Sequence, residues 1–581
     1  MLRQPSLVFS RFVGLILGLM LLMPMAAQAQ DATPIGTSAS PVAGGEPVVS
    51  RTCAEVKAEL QAAFAETDEP AAYTEGTYVV GSTSDLQSVN PFLAESDPSL
   101  TVVGYVFELL FSSDPRTGEP TPCGLTDYWE ISPDGLTYTF HLNTVAKWQD
   151  GVDFTSADVI FSLDALADPA TASVYTGSFL GTVQSWSAID DDTVQLVAYE
   201  PRFTVLFDLL GLFILPKHIW ETIPHDQWAT DPASTGQDPS KVVGTGPFRF
   251  DSWTQGQEVK LVRNDDYYDV KPNIKEYVFR IFPDGESQFN AFLNGEIDSV
   301  GLEPEQVAVV EGTEGVQWAS YPERGFLYYE FNLNPETTTL FQDARVRQAF
   351  MWALDRVSIV ENIQLGFAEV AKGTHPSLSY AYAPDEITID FTYDPEKAKA
   401  LLAEAGWTDT NGNGVVDKDG VEMSFEFLYP SGSPTNDTMV AYFQDAWKAV
   451  GIDIAPTALE FSALIEATTT NPTFAMALYG FGWDASFLQD AMFACDQYQI
   501  GFNDMMYCNP ELDAIFTAAK GEFDFDTRRA LVVQAANIVN EEQPVGVITF
   551  AVGLSGWNDR VHNFRPSAWG NLSYVGIWVD E

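Results

Sequence analysis

Positive charge is scarce in this chain of 581 residues: 29 Lys and Arg stand against 82 Asp and Glu, a formal net charge of −53 at pH 7. Such a surface repels phosphate backbones and anionic headgroups, which excludes nucleic acid as a partner and fits solubility outside the cell. Histidine is rarer still. The five, at 141, 218, 225, 375 and 562, are scattered, so no HExxH helix or Cys/His zinc cluster can be assembled from them. Cysteine is limited to four residues without tight metal-ligand spacing. No GxSxG elbow is present, and the scattered histidines give a Ser/His/Asp triad no support. The glycines of VGTGPF lack a following Lys-Ser/Thr and read as a tight backbone turn, not a phosphate cradle.

What is present is core material, 46% hydrophobic and 13% aromatic. The length exceeds what one hydrophobic core serves, so two or more domains are expected. Arg3 and Arg11 flank the start of the apolar run FVGLILGLMLLMPMAA, and the small-residue site AQA ends at Ala29, which predicts a cleaved signal peptide over 1–29. No Cys follows the run to carry a lipid anchor, and no later run is long enough to span a bilayer. The tract to residue 50, rich in Pro, Gly, Ser and Thr, reads as a disordered linker over 30–50. A helical extension over 51–76 follows, with Thr52 as N-cap.

Export allows the cysteines to pair. Cys495 and Cys508 bound a short loop, CDQYQIGFNDMMYC, whose closure is worth about 3 kcal/mol. Cys53 and Cys123 then form the second pair, the other pairings remaining open in the sequence.

From Thr77 short strands alternate with capped helices. LTYTFHL follows the turn SPDG, and FTSADVIFSLDAL opens with Thr155 as cap and Asp158 in its first turn. DARVRQAFMWALDR and DPEKAKALLAEAGW each start on an Asp N-cap, the second adding Pro395 at its first position and Gly406 at its end. Strands and helices mix without strict alternation, so the fold class is α/β with several lobes.

These segments, taken in order, resemble the extracellular solute-binding proteins of family 5, the peptide and nickel group that feeds ABC importers. The resemblance rests on WEISPDGLTYTFHLNTVAKWQDGVDFTSADVIFSL, VGTGPFRFDSW, VRNDDYYD, ALDR, DPEKAKALLAEAGW, FGWDASFLQD and NPELDAIF, and runs from about Thr77 to the C-terminus. It implies a two-lobed, type II periplasmic-binding-protein fold with an extra inserted domain, cluster C-like. Lobe I would combine 77–116, 240–337 and 545–581, the inserted domain 117–239, and lobe II 338–544, with the crossovers between lobes as hinges. The implied function is that of a non-enzymatic, monomeric receptor in the periplasm or at the outer face of the cell. It would capture an oligopeptide or similar small organic solute and pass it to a membrane permease. The alternatives are an oligosaccharide receptor of the same family, a secreted hydrolase such as a glycosidase, and a sensor that presents its ligand to a membrane receptor.

FGWDASFLQD is the candidate binding segment, with Phe481, Trp483, Asp484, Ser486 and Asp490 as ligand contacts. In relatives that bind peptides, an Asp three residues after this Trp holds the peptide amino group. Here that position is Ser486, which puts a free amine as ligand in doubt. Trp483 and its neighbours could still stack on sugar faces, prolyl rings or cations. No cofactor is expected apart from one candidate structural calcium. DTNGNGVVDKDG spaces Asp409, Asn411, Asn413 and Asp417 as a calcium loop does, although its twelfth position is Gly420 where a Glu is needed, and the same residues suit a hairpin turn.

Overall fold

The computed structural model describes residues 46–470, 472–498 and 500–580. The signal-peptide reading and most of the linker lie outside them. Val48 and Val49, at the end of the tract read as linker, form a strand paired antiparallel with Ile131 and Glu130. The linker reading therefore fails at its last residues, because a β-branched pair beside an open sheet edge finds ladder partners there.

The helix Cys53–Phe64 starts on the expected cap, with Thr52 and Glu55 forming a reciprocal capping box. Its first residue is joined to Cys123 by a disulfide, and Cys495 is joined to Cys508. Asp343 and Asp394 accept hydrogen bonds from the first turns of the helices Ala344–Trp352 and Pro395–Glu404. Thr155 caps Ser156–Ala167, and its N–H donates to Asp158 Oδ2 at 3.0 Å. The turn WQDG closes with Gly151 at φ +92° and its N–H on the Trp148 carbonyl. In VGTGPF the glycines are needed for a close approach of backbones: a Cβ on Gly244 would lie 1.8 Å from the Val106 carbonyl oxygen.

A five-stranded antiparallel sheet forms the inserted domain, in the order Val48–Val49, Thr126–Ile131, Thr137–Leu142, Thr193–Ala198, Val183–Asp190. The two lobes share one larger mixed sheet. At its first-lobe end lie Phe248–Thr254, Glu258–Arg263, Glu276–Ile281 and Thr77–Ser82; at its second-lobe end lie Met476–Gly482, Ser424–Pro430 and Asp453–Leu459. Between them run two long antiparallel strands, Val316–Phe331 and Val545–Asn558.

These two strands carry the crossovers. Their register slips where Pro322 pairs with Val552 but Phe326 pairs with Phe550, so Glu323, Arg324 and Gly325 stand opposite the single residue Ala551. Extra residues in one strand bend it and sharpen its twist. Past this bulge, Gly325–Phe331 pairs with Met476–Gly482 of the second lobe. The change of lobe therefore falls within the strand, near residues 323–325, and not after residue 337. Separate apolar cores flank the bulge, one around Phe292, Ile297 and Leu554 and one around Phe350, Phe443 and Trp447.

Candidate functional site

The strand Met476–Gly482 delivers the candidate segment to the cleft. Antiparallel pairing puts Tyr328 opposite Tyr479 and Phe326 opposite Phe481. After Gly482 the chain turns sharply. The Asp484 carbonyl accepts from the Phe487 N–H at 3.2 Å, and Phe487 takes φ +48°. The turn is anchored from behind, where the Thr374 carbonyl accepts from Trp483 Nε1 (3.3 Å) and Gln489 Nε2 (3.1 Å). Next to Thr374, burial holds His375 down at about 3, so it is neutral in this wall at physiological pH.

A cavity of about 280 Å³ opens beside this turn. Phe481, Trp483 and Asp484 line it, together with Tyr328, Phe461, Ile465, Tyr479, Leu488, Phe502 and Asp504. Aromatic and aliphatic side chains line it together with two carboxylates and no Lys or Arg, a mix of apolar and convergent polar groups that suits a small-molecule site.

The five sequence candidates have different fates. Phe481 packs edge-on against Phe502 (4.9 Å) and is half-buried. Trp483 is only 3% exposed, because its ring stacks on Phe326 at 5.3 Å and 18°. The face expected for a sugar or prolyl ring is thus committed to the protein. Asp484 is exposed, and its Oδ1 accepts from the Ser486 N–H (2.8 Å) and hydroxyl (2.6 Å). Ser486 itself is buried and does not line the cavity; it acts on Asp484. Asp490 is also absent from the lining, since its carboxylate pairs with Lys520 at 2.5 Å.

The hinge touches this site directly. Arg324, from the bulge, donates through Nη1 to the Trp483 carbonyl (3.2 Å), and the Trp483 N–H donates to the Arg324 carbonyl (3.3 Å). The Arg324 guanidinium lies over Trp569 at 4.8 Å. The bulge at residues 323–325 is thus hydrogen-bonded to the base of the candidate segment.

The inserted domain closes in from the other side. Phe203 is buried in the second lobe's core, donates its N–H to the Lys520 carbonyl at 2.9 Å, and lies under the Arg528 guanidinium at 4.3 Å. Asp208, ending the short helix Val205–Asp208, pairs with Arg202 at 3.3 Å and accepts from the hydroxyls of Thr182 and Thr204. Burial pushes its carboxyl up to about 6; Arg202 opposes the shift and the charge of Asp484 adds to it. The charge of Asp484, from the second lobe, thus reaches Asp208 of the inserted domain.

Sequence reasoning missed Asp208, Asp504, Phe502, Phe461 and the Tyr328/Tyr479 pair. Asp504 and Phe502 had a signal in the sequence, since both lie in the loop closed by Cys495 and Cys508. The calcium candidates are hydrogen-bonded within their own loop, with Asp409, Asn411 and Asn413 exposed and Asp417 buried. Asp409 accepts from the N–H groups of Gly412, Asn413 and Gly414, Asp417 accepts from Thr410, and both Asn411 and Asn413 donate to Glu422. Among the described residues no group of three or more His, Cys, Asp or Glu is placed to hold a metal.

Two lobes on a shared sheet, hinged by two crossing strands around an aromatic cavity, define a receptor that closes on a solute. The chain belongs to the bacterial extracellular solute-binding proteins, family 5, whose middle region matches residues 119–499. It is 28% identical over 509 residues to the oligopeptide-binding protein AppA of Bacillus subtilis, covering 87% of this chain and 91% of that protein. The dipeptide-binding protein of Escherichia coli is 26% identical over 484 residues, 79% of this chain and 86% of its own length. The structure of Bacillus subtilis AppA in complex with a nonapeptide superposes with a TM-score of 0.70 at 26% identity, covering 88% of this chain and all of that one. The substrate-binding protein CtaP of Listeria monocytogenes shares the fold, with a TM-score of 0.74 at 24% identity over 87% of this chain and all of its own.

Proposed function

We propose that this protein is the exported receptor of an ABC importer for short peptides, which it binds without turnover, as a monomer, and hands to a membrane permease. The observation that carries the reading is the aromatic cavity at the end of the strand Met476–Gly482, fastened to the hinge bulge through Arg324 and Trp483. Ligand in that cavity is coupled to lobe closure by covalent and hydrogen-bonded neighbours, as delivery to a permease requires. Relatives named for oligopeptide and dipeptide binding support the same solute class. An oligosaccharide receptor is the weaker reading, because Phe326 covers one face of the Trp483 ring and the side chain is only 3% exposed.

The test is native mass spectrometry of protein purified gently from its own exported compartment, followed by titration calorimetry with defined peptides. Co-purifying short peptides and saturable one-to-one binding without product release are expected. A sugar as the sole co-purifying solute, or sustained release of cleaved product, refutes the reading.

A further inference from the structure

The cavity is more specific than a general peptide groove requires. Two carboxylates line it, Asp484 and Asp504, and no Lys or Arg does. Asp484 is exposed, yet its Oδ1 is fixed by both the N–H and the hydroxyl of Ser486. Fixing one oxygen orients the carboxylate in advance of ligand, which lowers the ordering cost of binding. Asp504 is buried, with the Thr469 hydroxyl on its Oδ2 at 3.2 Å. The rest of the lining is dominated by rings, among them Phe461, Tyr479, Phe481 and Phe502. Aromatic faces and edges beside carboxylates form a setting that attracts cations.

A terminal ammonium is compact and would use one carboxylate in a small niche. Lys and Arg differ in carrying a long apolar stem with a charged head, and a cavity of about 280 Å³ with ring walls and acidic groups matches both parts. Resting on the peptide reading above, we propose that this cavity is a subsite for a basic side chain, with Asp484 as the carboxylate that selects its ammonium or guanidinium group and Ser486 as the residue that positions Asp484. Ser486 thus supports a carboxylate two positions earlier.

The probes are N-acetyl-Ala-Lys-Ala and N-acetyl-Ala-norleucine-Ala, blocked at the amino end so that only the side chain differs in charge. Calorimetry should give the lysine peptide a preference of about tenfold or more, shrinking as salt is raised. In Asp484→Asn the preference should fall to within about twofold; Ser486→Ala should lie between. A circular-dichroism melt like that of the wild type establishes that each variant is folded. Equal affinity for the two peptides in the wild type, or a preference unchanged in Asp484→Asn, overturns the inference and leaves the peptide reading standing. Failure of both peptides, and of unblocked trialanine, overturns the peptide reading and this inference with it.

Discussion

Replacing Phe203 by Ala tests how the inserted domain and the second lobe hold each other. The ring is 8% exposed, lies in the second lobe's core beside Phe207 and Phe523, and has the Arg528 guanidinium 4.3 Å above it. Burying a phenyl side chain contributes about 2 kcal/mol and a partly buried cation–π contact about 1 kcal/mol more. The backbone hydrogen bond from Phe203 to Lys520 remains available in the variant. Opening the gap between these bodies must withdraw the ring, so the loss of about 3 kcal/mol falls on the closed arrangement and not on either core. Converted at 1.4 kcal/mol per decade, the closed-to-open ratio drops by about a hundredfold, and affinity for any solute enclosed by closure weakens by up to that factor. Calorimetric titration gives the affinity, and small-angle scattering with and without peptide gives the compaction. A Phe203→Ala protein that melts at lower temperature but binds and compacts as the wild type does would show that Phe203 belongs to a static core, and the reasoning would fail.

Breaking the loop staple should act on both stability and binding. Replacing Cys495 and Cys508 by Ser removes a bridge across 13 residues, worth about 3 kcal/mol, and frees the loop carrying Phe502 and Asp504, so the melting temperature and peptide affinity should both fall; unchanged affinity would separate the loop from the site. Glu108 gives a pH prediction. Its carboxyl accepts from Tyr267 and Tyr268 at 2.8 and 2.9 Å, and burial pushes it up to about 7. Because the folded state binds this proton more tightly, the contribution is fully present below the ordinary carboxylate range and is lost as pH rises through 7. Glu108→Gln should therefore gain on the wild type between pH 5 and pH 8, by no more than about 3 kcal/mol in urea unfolding, and an equal difference at both values refutes it. For the loop at Asp409, whose carboxylates already serve N–H and hydroxyl donors, adding calcium to chelator-treated protein should leave the melting temperature unchanged. A rise on adding calcium would establish the cation reading.

Local signals were the most legible. An Asp or Thr before an apolar period, a Pro at the first helical position and a Gly after the last named the caps because each satisfies an orphaned backbone group within a few residues. The cavity was legible only where it is continuous in sequence, at Phe481, Trp483 and Asp484. Tyr328 and Tyr479 become neighbours through strand register, and Asp208 approaches Asp484 through the docking of the inserted domain, neither of which periodicity encodes. The packing of Trp483 was illegible for a related reason. A buried Phe326 on the adjacent strand claims its face, and one sequence does not reveal which aromatic residues will satisfy each other.

The two long strands also limit how this protein can be divided. Each lobe's part of the large sheet ends on strands that continue into the other lobe. Expressed alone, either lobe would carry half a ladder, with the donors and acceptors of Val316–Phe331 or Val545–Asn558 open to any passing edge. The lobes should accordingly resist separate production and lose structure in one step, and the inserted domain should melt with the first lobe, because its Trp129, Phe140 and Leu196 share one continuous core with Tyr78, Phe248 and Leu261.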